Sequence, residues 1–235
     1  MARIVKEHAV RRNEILDATQ KLVYTRGYEQ MTIQDILDDL QISKGAFYHY
    51  FDSKQALLEA LIERMGEEAE ALLLPIVHDT HLSALEKLQR FYPTLARWKT
   101  ARKTFFLALL HTLYADDNAI FRQKIRAKAI KQAAPLLTEI IHQGIREGVI
   151  TTSYPDQVGE LVVSLVLDMG DTVAWLLLSC EPNHDTLRRI ESTTEAYTDA
   201  LERVLGSPTG SLPLIDAETL KEWVVSTGDN ADIKS

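Results

Sequence analysis

The densest chemistry in the chain lies between Thr32 and Lys54. Ser43, Lys44, Gly45, Ala46, Phe47, Tyr48, His49, Tyr50 and Phe51 follow one another. At about 100° per residue, Phe47, Tyr50 and Phe51 share one side of a helix. Gly45 and His49 then point most directly the other way, with Ala46 and Tyr48 on the flanks and Lys44 in the first turn. A face that starts small admits a close approach, and the cation, phenol and imidazole beside it can hydrogen-bond base edges or phosphate oxygens. Lys54, opening the next helix, suits a phosphate contact as a point charge.

These side chains need a scaffold, and the surrounding pattern supplies one. Ile15, Ala18, Leu22 and Val23 form one apolar face, which predicts a first helix over residues 8 to 26, closed by Gly27 as a left-handed cap. Thr32 with Asp35 makes a capping box ahead of Ile33, Ile36, Leu37 and Leu40, a short second helix. Only Gln41 and Ile42 separate it from Ser43, an N-cap for a third helix ending near Phe51. Asp52 and Gln55 then precede Leu58, Leu61, Ile62 and Met65 in a long fourth helix that Pro75 must end or kink. Two short helices joined by a tight turn between longer ones constitute a helix-turn-helix.

The charge balance supports such a site only locally. The 235 residues carry 26 Lys and Arg against 34 Asp and Glu, a net charge of -8. Residues 1 to 54 hold eight of each, so the whole acidic excess lies beyond them. Residues 1 to 12 carry Arg3, Lys6, Arg11 and Arg12 against Glu7, a local +3 that fits either a phosphate-seeking arm or a solvated tail. The 46% hydrophobic content excludes disorder as a whole-chain reading. One cysteine, Cys180, excludes an intramolecular disulfide, the N-terminus lacks an apolar signal region, and cytoplasmic location is the expectation. The longest apolar run, Val158 to Cys180, contains Glu160, Asp168 and Asp171, so no membrane span or membrane partner is expected.

The stretch TIQDILDDLQISKGAFYHYFDSKQALLEAL, from Thr32 to Leu61, resembles the DNA-binding signature of the tetracycline-repressor (TetR) family of bacterial regulators. The likeness covers about residues 10 to 65. It implies that Thr32 and Lys54 grip phosphates while Ser43 opens a recognition helix whose Lys44, Gly45, Ala46, Tyr48 and His49 face the major groove. Tyr50 stays open between the core, where helical phase turns it, and the phosphate contact the resemblance implies. One departure is Gln41, where the family commonly has glycine; a side chain there is strained at positive φ and points to an altered turn.

Beyond residue 55 helical patterns fall near 82 to 101, 103 to 114, 118 to 147, 155 to 180 and 184 to 205, with Pro93 and Pro135 implying kinks or breaks. The one strand-like run, Val149 to Tyr154, is too short to found a sheet. The expected fold is all-α, with a helix-turn-helix domain at 1–54 and a helical-bundle domain for effector binding and dimerisation at 55–205. A turn-rich linker with an accessory helix or tail follows at 206–235.

Seven of the 17 aromatic residues lie between 91 and 121, which suits a core or an apolar pocket. The resemblance favours a small-molecule effector pocket, with Trp98, Phe105, Phe106, His111 and Tyr114 as candidates. A polar stripe on the helix 155 to 180, including Asp168, Asp171 and Trp175, could receive a cationic or polar ligand, or form a solvated face or a polar dimer seam. Leu187, Ile190, Thr194, Tyr197, Leu201 and Val204 repeat at 3-4-3-4-3 spacing, a seam for a homodimer or for packing within one subunit. The resemblance implies the homodimer, which would set two recognition helices about 34 to 36 Å apart on a palindromic double-stranded operator.

No nucleotide-binding loop appears and Cys180 has no histidine partner, so no catalytic residues and no cofactor are expected. His78 and His81 could bind a metal with Asp79 or Glu86, but the spacing is common and no metal is assigned. The competing class is a helical ligand sensor that acts through protein partners without specific DNA binding; Gln41 and the overall acidity are its support.

Overall fold

The computed structural model describes residues 8–115 and 118–228, and among these it contains ten helices and no strand. They are α1 (His8–Arg26), α2 (Ile33–Leu40), α3 (Lys44–Tyr48), α4 (Lys54–Val77), α5 (Ala84–Thr100), α6 (Lys103–Leu113), α7 (Ala119–Glu147), α8 (Pro155–Ser179), α9 (His184–Leu205) and α10 (Ala217–Gly228). Most of the proposed arm, residues 1 to 7, lies outside the described residues.

The chain divides into two compact units, one of residues 1–67 with 104–118 and one of 68–103 with 119–235. In the first, Ile15, Leu16 and Val23 of α1, Ile36 of α2, Phe47 of α3 and Leu57 and Leu61 of α4 are buried. The reasons are local as well as tertiary. The Thr32 hydroxyl accepts from the Asp35 amide at 3.2 Å while the Asp35 carboxylate accepts from the Thr32 amide at 2.8 Å, so the capping box is closed in both directions. Arg64 of α4 donates to Asp17 and Gln20 of α1 at 2.6 and 2.7 Å, which fixes the long helix against the first.

The second unit is built on α7, α8 and α9 packed in sequence, with α5 against α7. Its core joins Leu73 and Val77 of α4, Leu88, Phe91 and Tyr92 of α5, Leu137, Ile140 and Ile141 of α7, Val158, Val162 and Val163 of α8, and Leu201 and Leu205 of α9. Pro93 and Pro135 do not break their helices; α5 and α7 run on to Thr100 and Glu147. A proline inside a helix costs about 3 kcal/mol, and each apolar side chain fully buried nearby returns about 1.5–3 kcal/mol, so Leu88, Phe91 and Tyr92 outweigh Pro93. Pro75 lies two residues before the end of α4.

Residues 149–154 form no strand. The Thr151 amide donates to the Leu205 carbonyl at 2.9 Å, tying this segment to the end of α9. There Gly206 is required twice over: its φ is +59°, and a Cβ would meet the Thr151 carbonyl oxygen at 2.5 Å.

The seam on α9 faces inward. Ile190, Thr194 and Leu201 are buried within the protomer, and Ile190 packs with Leu176 and Leu177 of α8 and Leu220 and Val224 of α10. The spacing that suggested an intersubunit seam is therefore used inside one subunit, because α8 and α10 cover that face first. Residues 207 to 224 dock against the bundle, and the tail from 229 to 235 lies outside the described residues. Buried Glu202 accepts from the Gly210 and Leu212 amides at 2.9 and 3.0 Å, and the Trp223 indole donates to the Thr100 hydroxyl at 2.8 Å.

By length and composition alone α8 would be long and apolar enough to cross a bilayer, despite Glu160, Asp168 and Asp171. Here it packs between α7 and α9.

Candidate nucleic-acid interface

The turn between α2 and α3 is closed by Gln41 in the left-handed conformation, φ 52° and ψ 46°, with its amide donating to the Leu37 carbonyl. The Ile42 amide donates to the same carbonyl at 3.0 Å. The turn thus keeps the left-handed geometry glycine would take, and the departure at this position did not change the conformation. Gln41 is the only non-glycine residue with positive φ among the described residues.

Ser43 caps α3, its side chain accepting from the Ala46 amide at 3.2 Å. Phe47 is fully buried, and the opposite face is open: Lys44, Gly45, Tyr48 and His49 are exposed and Ala46 is half-buried. No atom lies within 4 Å of where a Gly45 side chain would start. The Lys44 ammonium lies 5.9 Å from the centre of the Tyr48 ring, so cation and phenol share one patch.

The third helix ends at Tyr48, earlier than its apolar spacing predicts. The Tyr50 amide donates to the Phe47 carbonyl at 2.9 Å, a three-residue turn that tightens the backbone. The same carbonyl accepts from the Phe51 amide at 3.1 Å, so the backbone completes one further turn with Tyr50 at its edge. Tyr50 is half-buried at the surface, where its ring lies 5.1 Å from His49 and 4.6 Å from His8. His8 is a member of this cluster that sequence reasoning missed; the only signal was its place at the start of α1 beside the basic N-terminus. Phe51 returns to the core, with Arg12 at 5.4 Å over its ring.

The two proposed phosphate grips have structural duties as well. The Thr32 hydroxyl donates to Asp35 at 2.7 Å, and this bond with that of the Thr32 amide holds the Asp35 carboxyl below its ordinary range. Lys54 donates to the Glu29 carbonyl at 3.2 Å and sits 4.4 Å over the Tyr28 ring, and partial burial lowers its ammonium pKa. Tyr28 in turn donates to the Lys54 carbonyl at 3.1 Å, and burial pushes its phenol up to about 12. Lys54 therefore braces the loop before α2 against the start of α4.

The eight pocket candidates divide between the two units. In the first, Phe105 is buried, Phe106 and Tyr114 are half-buried and His111 is exposed. In the second, Trp98 stacks with Arg102 at 4.8 Å, Asp168 accepts from the Tyr197 hydroxyl, and Asp171 pairs with Arg126 at 3.0 Å. Trp175 is 55% exposed. The polar stripe on α8 is thus a surface feature tied to α7 and α9. Among the described residues, no three potential metal-ligating side chains come together; Glu86 is occupied in capping Ser83.

A three-helix head with an exposed, small-to-polar recognition helix defines a helix-turn-helix DNA-binding protein. Residues 15–61 match the model of the bacterial regulatory proteins of the tetR family, and residues 110–175 match that of a tetracyclin repressor-like C-terminal domain. An uncharacterised HTH-type transcriptional regulator of Lactococcus lactis is 46% identical over 52 residues, 22% of this chain and 26% of that protein. This match spans about a quarter of the relative. The HTH-type transcriptional repressor KstR2 of Mycobacterium tuberculosis is 27% identical over 177 residues, covering 72% of this chain and 82% of KstR2. A TetR-family regulator from Pectobacterium atrosepticum shares the fold with a TM-score of 0.62 at 19% identity, over 86% of this chain and 100% of that one. The chain belongs to the TetR family of bacterial regulatory proteins, a family of DNA-binding transcriptional regulators rather than of enzymes.

Proposed function

We propose that this protein is a homodimeric repressor that holds a palindromic operator until a small molecule binds its second unit. The observation that carries the reading is the exposed face of α3, where Lys44, Gly45, Tyr48 and His49 lie open opposite the buried Phe47. Lys44 and Tyr48 supply base or phosphate contacts at its start and end, and Gly45 lets the backbone approach. Thr32 and Lys54 place phosphate contacts on either side. The sensor without DNA binding is not favoured, since Gln41, its main support, leaves the turn formed.

A dimer through α8 is supported by its outward face, where Leu161 and Trp175 are 53% and 55% exposed and Leu165, Asp168 and Thr172 lie between them at helical spacing. The α9 residues Leu187, Tyr197 and Val204 are half-buried and flank the inward seam. Release is a population shift: the effector must bind the operator-incompetent state better than the competent one, or it releases nothing however tightly it binds.

The test is selection of genomic fragments by the purified protein, followed by footprinting at two salt concentrations. A protected palindrome, with log K falling about 0.9 per neutralised phosphate, is expected. Lys44→Ala and Tyr48→Ala should each weaken operator binding, by roughly 1–3 kcal/mol for a base contact, and leave the sedimentation coefficient unchanged. Enrichment of no sequence at low salt overturns the reading.

A further inference from the structure

Two surfaces of the second unit carry opposite charge in the same pattern. Between Ala119 and Thr138, α7 holds Arg122, Lys124, Arg126, Lys128 and Lys131 and no acid, in a chain whose net charge is -8. Ile120, Lys124, Lys128 and Lys131 are exposed and follow at 4-4-3 spacing, so they form one ridge about 80° wide and about 16.5 Å long. Ile120, at 77%, is the most exposed large apolar side chain among the described residues.

The complementary surface is a groove of about 570 Å³ between α9 and residues 209–220. Glu191, Glu195, Asp199 and Glu202 line it, and no lining residue is basic. Their spacing on α9 is also 4-4-3, so the acidic stripe has the length of the ridge. Glu202 is spent on the Gly210 and Leu212 amides, and Asp199 pairs with Arg203 at 2.8 Å. Glu191 and Glu195 have no ion pair among the described residues. The opposite wall is apolar and partly open, with Pro213 and Ala217 exposed and Ile215 half-buried. The α9 side of the groove offers acceptors alone, since the Thr194 and Thr198 hydroxyls donate to the Ile190 and Thr194 carbonyls at 2.9 and 2.8 Å.

We propose that the groove takes the α7 ridge of a second copy of this chain, a self-association surface separate from the α8 face of the proposed dimer. Complementarity of charge and of apolar surface carries the assignment. Laid antiparallel, Lys131, Lys128 and Lys124 come level with Glu191, Glu195 and Asp199 to within one residue, about 1.5 Å. Ile120 then comes level with Glu202, where Leu212 and Pro213 supply the apolar wall. The parallel alignment fits worse, since it sets Ile120 on Glu191 and Lys131 on the engaged Glu202. Each copy presents one groove and one ridge, so the contact is heterologous and can pass from copy to copy. Exposed ion pairs are individually weak, which makes the association transient and sensitive to salt.

Sedimentation velocity of the full-length protein at about 0.01 M and about 1 M salt, where the Debye length is about 30 and 3 Å, reads the contact directly. Wild type should form larger species at low salt than at high salt. Lys131→Glu and Glu191→Lys should each weaken the low-salt association about 3- to 10-fold, as an exposed pair turned repulsive does. An equimolar mixture of the two variants should restore it, because Lys131→Glu keeps the groove intact and Glu191→Lys keeps the ridge. Restoration also shows that both variants are folded. Wild-type association that is absent or indifferent to salt, single variants that associate like wild type, or a mixture no larger than its components overturns the proposal. So does another occupant: Lys131→Glu losing affinity for random duplex DNA with sedimentation unchanged, or spermidine filling the groove of a protein that does not self-associate. The α8 dimer is read separately, as the species that remains at high salt. A monomer there refutes that dimer and leaves this comparison intact.

Discussion

Gln41→Gly should stabilise the protein, against the usual direction of glycine substitutions. Gln41 holds φ 52° and ψ 46°, where an L-residue's Cβ crowds the carbonyl at a cost of about 1–2 kcal/mol. Glycine relieves that crowding but gives the unfolded chain more freedom, which costs about 0.4–1 kcal/mol. The difference is a net gain of about 0.8 kcal/mol, or roughly 2–3 °C in Tm for a chain of this size. Chemical denaturation gives the cleanest measure, with the midpoint rising at unchanged m-value. Gln41→Ala is the control: it keeps the Cβ and its crowding, so it should gain nothing. Operator affinity should not fall in Gln41→Gly, because the amide that donates to the Leu37 carbonyl is retained. A loss of stability in Gln41→Gly relative to both wild type and Gln41→Ala would refute the reasoning, since it would mean the strain at this turn is absent.

Ser43→Ala removes the acceptor for the Ala46 amide and should lower stability by about 1 kcal/mol, with operator affinity falling as α3 frays; circular dichroism melts and a binding isotherm check both. The depressed Asp35 pKa has a definite sign: its contribution is full above the unfolded value near 3.8 and is lost as pH falls through the lower folded value. Asp35→Asn should therefore flatten the acid limb of a stability profile and leave its neutral limb parallel to wild type. Glu202→Ala orphans the buried Leu212 amide and the Gly210 amide, should cost about 2–4 kcal/mol, and should expose residues 206 to 216 to limited proteolysis. Trp175→Asp should convert the proposed dimer to monomers in sedimentation and weaken operator binding through the loss of paired heads.

The helix-turn-helix was legible because its signals are local. A capping box at Thr32 and Asp35, a serine cap at Ser43 and a three-residue connection each act within one helical turn, so residue order alone determines them. The start of α9 and its end at Gly206 were readable for the same reason. The exposed set Lys44, Gly45, Tyr48 and His49 followed from phase, while Tyr50, left open between core and contact, is half-buried in the tightened turn that ends α3. Lys54 read as a free cation, and only the approach of Glu29 and Tyr28, some 25 residues earlier, makes it a brace.

In the second unit periodicity marked which faces are apolar but not what covers them. A 3-4-3-4-3 stripe on α9 is compatible with a second copy or with neighbours from the same chain; α8 and α10 took it. The same ambiguity hid the groove beside α9, whose second wall comes from the segment after Gly206. Residue order determined the elements and the exposed side chains of α3, because capping and phase are short-range. Which faces pair, which charges are engaged and which groove is left open depend on residues distant in sequence, and those only the tertiary structure decided.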